Sequence, residues 1–81
     1  MYQTIGETIK VAGVFGSAKF TPKKFEWRTQ IYQISQITLV NDVKDGGIKK
    51  RWYSVMAGAN LYRLCFNRDN ESWSLEEVWC E

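Results

Sequence analysis

Apolar and polar residues alternate with a period of two through most of the chain, and Gly, Asn and Asp interrupt the alternation at short intervals. This is the pattern of half-buried β-strands joined by turns. Residues 7–16 predict a first strand with Ile9, Val11 and Phe15 on one face. A loop over 16–22 follows, and Pro22, which has no amide donor, is expected to stand before the second strand. That strand, 24–28, sets Phe25 and Trp27 against Glu26 and Arg28.

Residues 30–40 are rich in β-branched side chains and predict a long third strand. Tyr32 and Ile34 share one face, while Ile37 and Leu39 share the other. A bulge or bend near Ser35-Gln36 accounts for the switch, and a strand bent in its middle is what a small barrel needs. Residues 41–47 read as a turn, with Asp45-Gly46-Gly47 supplying positions tolerant of positive φ. The fourth strand covers 48–56, and Ala57-Gly58-Ala59-Asn60 closes a hairpin onto a fifth, 61–66. A two-residue loop at Gly58-Ala59 puts Val55 opposite Tyr62 and Tyr53 opposite Leu64. A sixth strand, 73–79, then pairs Phe66 with Trp73, Leu64 with Leu75 and Arg63 with Glu76. A short helix near 75–79 is the local alternative. The predicted fold is a single all-β domain, an antiparallel meander of about six strands forming a small SH3-like or partly open barrel.

Composition supports one core without staples. The chain has 81 residues, 15% of them aromatic, and each buried ring removes about 150–250 Å² from water. Cys65 and Cys80 are out of register in the predicted hairpin, so two free thiols are expected, as in a reducing compartment. The first seven residues carry neither a basic nor an apolar leader region, and no apolar run approaches a membrane span. A cytoplasmic protein with no membrane association is the expectation.

Net charge is +2, but its distribution is uneven. All 11 basic residues fall within 1–68, which stands at +7, while 69–81 stands at −5. Either a basic face is available to a partner, or the acidic segment folds against it.

The chain has no His, the commonest general base and metal ligand. Two cysteines are too few for a structural zinc site, and Gly13-Val14-Phe15-Gly16-Ser17 lacks the Lys and spacing of a phosphate loop. Glu76 and Glu77, as strand neighbours, should face opposite sides and share no substrate. No enzyme, cofactor or metal is expected. What remains is a basic and aromatic surface: Lys23 and Lys24 beside the second strand, and Lys49, Lys50 and Arg51 leading into Trp52. Small β-barrels that bind single-stranded nucleic acid combine cations that follow the phosphates with rings that stack on bases. Trp52 also shares a face with Met56, Leu61 and Arg63, opposite the apolar face, where Trp52, Met56 and Leu61 offer a patch for a partner chain or a second copy.

The runs Pro22-Lys23-Lys24-Phe25-Glu26-Trp27, Tyr32-Gln33-Ile34, Trp52-Tyr53-Ser54-Val55, Tyr62-Arg63-Leu64 and Trp73-Ser74-Leu75-Glu76-Glu77-Val78 carry a resemblance. In this order they resemble a small bacterial all-β domain family of unknown function, found alone or appended to proteins related to error-prone DNA polymerases. The likeness spans residues 9–79 and departs at Arg28-Thr29-Gln30, where the family often has a Gly-Arg turn. It implies an all-β fold, no catalytic residues, and an accessory role in DNA transactions. Two functions follow as expectations: a non-catalytic nucleic-acid-binding module, or a protein-interaction or self-associating module.

Overall fold

The computed structural model describes residues 1–80. They form seven strands: β1 (Tyr2–Gly16), β2 (Lys19–Trp27), β3 (Gln30–Gln33), β4 (Gln36–Asp45), β5 (Ile48–Ala57), β6 (Asn60–Asn67) and β7 (Ser72–Trp79). All pairings are antiparallel, in one sheet of order β3-β2-β1-β7-β6-β5-β4. No helix occurs among the described residues, and so none long and apolar enough to cross a membrane. The helix weighed at 75–79 is absent because Leu75 and Val78 are held in the β6 ladder opposite Leu64 and Tyr62.

β1 begins at Tyr2, five residues earlier than the alternation indicated, and serves two neighbours. Its first half, Tyr2 to Ile9, pairs with β7; its second, Lys10 to Gly16, pairs with β2. The loop expected over 16–22 shrinks to the turn Ser17-Ala18, both at positive φ (52° and 62°). Pro22 therefore lies inside β2, contrary to the sequence reading. It is tolerated because the ladder steps from Ala12 opposite Lys24 to Gly13 opposite Pro22, and the bulge removes the need for a regular donor there.

The expected long third strand is two strands. The chain bends at Ile34-Ser35, where Ile34 N–H donates to the Lys23 carbonyl (2.9 Å) and Ser35 N–H to the Met56 carbonyl (2.8 Å). The run from Gln30 to Asp45 thus reaches from β2 on one side to β5 on the other. The sheet curls into a partly open barrel without a closing ladder, and the strand count rises to seven. β4 also continues to Asp45, since Asn41 to Asp45 pair residue by residue with Trp52 to Ile48; only Gly46-Gly47 turns. Thr38 is the extra residue of a bulge between Ile37 opposite Val55 and Leu39 opposite Ser54. Ile37 therefore packs on the core while Leu39 faces outward, so the two do not share a face.

The inner face carries the core: Ile9, Phe25, Tyr53, Val55, Tyr62, Leu64, Leu75 and Val78. Here the sequence register holds, with Val55 opposite Tyr62, Tyr53 opposite Leu64, Leu64 opposite Leu75 and Phe66 opposite Trp73. Cys65 and Cys80 are free thiols. One pairing differs. A bulge at Glu76 sets Arg63 opposite Glu77, with which it makes a 2.9 Å ion pair. The Glu76 carboxylate turns to the same outer face, accepting from the Ser74 hydroxyl at 2.6 Å, so the two glutamates are not on opposite sides as their spacing suggested.

The β2–β3 turn is Arg28-Thr29, at φ 52° and 65°. Arg28 is held there by a bidentate contact to Glu7, which also accepts from the Trp27 indole at 2.9 Å and has its pKa lowered by Arg28 and then Trp27. Thr29 makes no contact to Glu7; its hydroxyl donates to the adjacent Arg28 carbonyl (2.5 Å), and, being β-branched, the residue is strained at positive φ. Thr29→Gly is expected to raise stability by about 1 kcal/mol and the melting temperature by about 5 °C, measured by thermal denaturation.

Candidate binding cleft and basic ribbon

Three hairpins each contribute a cross-strand pair to one end of the barrel. β1 and β2 set Phe15 opposite Phe20; β6 and β7 set Phe66 opposite Trp73; β5 and β6 set Arg51 opposite Phe66. These side chains, with Val11, Ala18, Tyr53 and Glu71, line a hollow of about 380 Å³. The rings lie in a chain: Phe15 to Phe20 at 5.2 Å between centroids, Phe20 to Trp73 at 5.9 Å, Trp73 to Phe66 at 4.8 Å and Trp73 to Tyr53 at 5.2 Å. Tyr53 belongs to the core, whereas Phe15 is 77% exposed. A ring that exposed contributes little to folding, so its place beside three other rings makes the cleft an available stacking surface.

Beyond the cleft, the β4–β5 hairpin runs on to Gly46-Gly47 as a ribbon, with β6 paired beside β5 as far as Lys50 opposite Asn67 and Arg68 N–H donating to the Lys49 carbonyl (2.8 Å). On β5, Lys49 and Arg51 alternate with Tyr53 and share its face. Arg51 is clamped by Asp42, its cross-strand neighbour, through hydrogen bonds of 2.6 and 3.1 Å. Those bonds hold the Asp42 carboxyl below its ordinary range and raise the guanidinium above its own, with Tyr53 adding to the latter. The next pair along is Lys44 opposite Lys49, both exposed and without an acidic partner among the described residues. Like charges directly opposite on a ladder are unfavourable. An anion seated between them removes that penalty.

The six residues singled out from the sequence do not form one surface. Lys49 and Arg51 share the cleft face. Lys50 and Trp52 lie on the outer face, where Lys50 pairs with Asp45 at 3.4 Å and the Arg63 guanidinium sits 5.2 Å over the Trp52 ring. Lys23 and Lys24 belong to β2, four ladders from β5 along the sheet; across its open side Lys23 lies beside Ile34 and Ile37, at the Met56 end of β5 and away from its Lys49 end. Trp52, Met56 and Leu61 do share the outer face. Beside them a second hollow of about 220 Å³ is lined by Tyr2, Ser54, Leu61, Arg63, Glu77 and Trp79. The sequence reading pairs Phe66 with Trp73 and places Phe15 on a strand, but it leaves Phe20 in the loop 16–22, and nothing in it brings Phe15 and Phe20 to Phe66 and Trp73. The one local signal is the apolar parity of Phe15 and Phe20 across a turn of two residues.

No protein-family model, curated protein or solved structure matches the chain.

Proposed function

We propose that the chain is a non-catalytic nucleic-acid-binding module, taking a single-stranded segment with its bases on the cleft rings and its phosphates along the ribbon. The observation that carries this reading is the continuity of the two features on one face of β5. Tyr53, Arg51 and Lys49 succeed one another at two-residue spacing, from aromatic cleft to unpaired lysine pair. Stacking and phosphate contacts on adjacent stretches of one groove are what a single strand requires. The absence of His and the placement of both outer-face glutamates against Arg63 and Ser74 support a binding role over a chemical one. The Cys65 thiol, whose pKa is raised by burial and then by Glu76, is a poor nucleophile. Lys23 and Lys24 would serve only a longer strand that wraps the barrel. Lys50 and Trp52 play no part in this site.

The test is a titration of isotope-labelled protein with a short oligothymidylate at about 50 and 200 mM salt. Amide shifts should gather at Phe20, Lys49, Tyr53, Phe66 and Trp73 and fade at the higher salt. Charge reversal of both lysines, K44E with K49E, should flatten the log–log salt dependence by about two units. Phe15→Ala should cost about 1–3 kcal/mol of binding while leaving the fold intact. A silent spectrum at low salt, or shifts unaffected by these variants, sinks the assignment.

The protein-interaction reading keeps one specific support. Trp79, at 52% exposure, lies with Tyr2 beside Leu61 on the outer face, their rings 6.2 Å apart. In this second reading Trp52, Met56 and Leu61 extend that pair into an apolar patch for a partner chain, such as a protein of DNA transactions. Shifts at Tyr2, Leu61 and Trp79 on adding a partner would favour it.

A further inference from the structure

β4 is an edge strand of ten residues, and nine of them are exposed. It pairs only with β5, and its outer edge carries no ladder. The hairpin fixes which backbone groups are free. Gly46-Gly47, at φ 57° and 87°, makes a two-residue turn, so Asp45 and Ile48 form its closing hydrogen-bonded pair. Bonded pairs then alternate back along the ladder through Val43, Asn41 and Leu39. The amides and carbonyls of Val40, Asp42 and Lys44 point away from β5. The other edge, β3, has four residues, whereas β4 exposes Leu39 (48%), Val40 (40%) and Val43 (39%). An edge strand of this length with three exposed aliphatic side chains is a pairing site unless it is covered.

We infer that a second copy of this chain covers it, through antiparallel pairing of β4 with β4 about a two-fold axis at Asn41. The strand is self-complementary in that register. Val40 meets Asp42 of the second copy as the hydrogen-bonded pair, which uses the outward groups on both sides of the axis. Leu39 meets Val43 of the second copy, twice by symmetry and on the outer face, because Leu39 and Val43 pair there with Ser54 and Lys50. Thr38 meets Lys44. No like charges stand opposite, whereas shifting the axis by one residue to Asp42 would set Asp42 against itself. The outer face of the joined sheets then runs continuously from Leu39 to Trp52 across both copies. The two Lys44–Lys49 pairs come to lie on the opposite face, on either side of the axis. This inference does not depend on nucleic-acid binding.

Sedimentation velocity of the isolated protein, followed up to about 1 mM, is the test. A monomer–dimer equilibrium is expected, with amide exchange at Val40, Asp42 and Lys44 slowing as concentration rises. Leu39→Lys and Val43→Lys change exposed side chains, so the fold should persist while the dimer is lost in both. Val40→Pro removes one outward donor and should have the same effect. A wild-type monomer throughout the range overturns the inference. So does a dimer that survives Leu39→Lys and Val43→Lys, or one in which those three amides exchange no more slowly.

Discussion

Phe25→Ala should remove half or more of this domain's stability. The Phe25 ring is 1% exposed, stacked on Tyr32 at 5.1 Å and 12°, and meets Tyr62 edge-on at 5.1 Å and 66°. It sits where β2 and β3 fold across β6, so its removal opens the contact that curls the sheet. Truncating a buried Phe costs about 3–5 kcal/mol through lost transfer energy and the cavity left behind. The lost aromatic pairs add about 1 kcal/mol. A chain of this length commands only about 4–12 kcal/mol in total. Urea denaturation of the purified variant should show a midpoint lowered by more than half, or no folded baseline. The control is Phe15→Ala, a ring of the same size. At 77% exposure it should change stability by less than about 0.5 kcal/mol. A large loss there would mean that the cleft rings are structural and would undercut their assignment to a ligand.

That contrast shows what the linear pattern can and cannot carry. Period-two alternation locates Phe25 and Phe15 alike as inward residues, because it reports which face of a strand a side chain takes. It does not report whether anything lies opposite. Phe25 is covered because β1 and β3 flank β2 there, Tyr32 stands opposite it on β3, and the curl of the sheet brings Tyr62 of β6 against it. Phe15 is uncovered because β1 outruns β7 at that end and only β2 accompanies it, through Phe20. The register of β5, β6 and β7 followed from tight turns and from matching apolar pairs, both of which are local information. The bulges at Thr38, Glu76 and Gly13 were not recoverable in the same way. Each lies in a ladder between consecutive strands, yet the alternation carries no mark of the one residue left unpaired, and each moved a predicted neighbour: Leu39 to the outer face, Glu77 opposite Arg63, Pro22 into a strand.

The candidate site shows the same division. A run of three cations before an aromatic residue, Lys49-Lys50-Arg51-Trp52, reads as one patch in the sequence. On a strand it must split, Lys49 and Arg51 to one side, Lys50 and Trp52 to the other. The split decides which rings accompany which cations. Arg51 acquires the cleft rings from β1, β2, β6 and β7, with Lys49 next along the same face, while Trp52 acquires the Arg63 guanidinium on one of its ring faces. Asp42, read as part of a turn, instead becomes the carboxylate that orients Arg51. The partner of a strand residue lies on another strand, and sequence distance gives no measure of it.

Gly13→Ala should be the most damaging change that removes no side chain, and it ties the fold to the cleft. A Cβ at Gly13 would lie 2.2 Å from the Thr21 carbonyl oxygen, 2.7 Å from the Phe20 ring and 2.9 Å from the Pro22 Cα. The first and last of these are backbone atoms of the facing strand, so no rotamer change relieves the contact. β2 must move away from β1 at the bulge, and the expected cost is about 3 kcal/mol, at the upper end for overpacking. Phe20 stands next to this contact and bridges Phe15 to Trp73 in the cleft. The displacement should therefore be felt twice: as a lowered denaturation midpoint, and as shifted ring resonances for Phe15, Phe20 and Trp73 under conditions where the variant remains folded. Gly16, where an added Cβ meets nothing within 4 Å and φ is not positive, provides the matched comparison at the other end of the same hairpin. Gly16→Ala should leave both observables near those of the parent. If Gly13→Ala proved equally mild, the close approach of β1 and β2 would be wrong, and with it the position of Phe20 in the cleft.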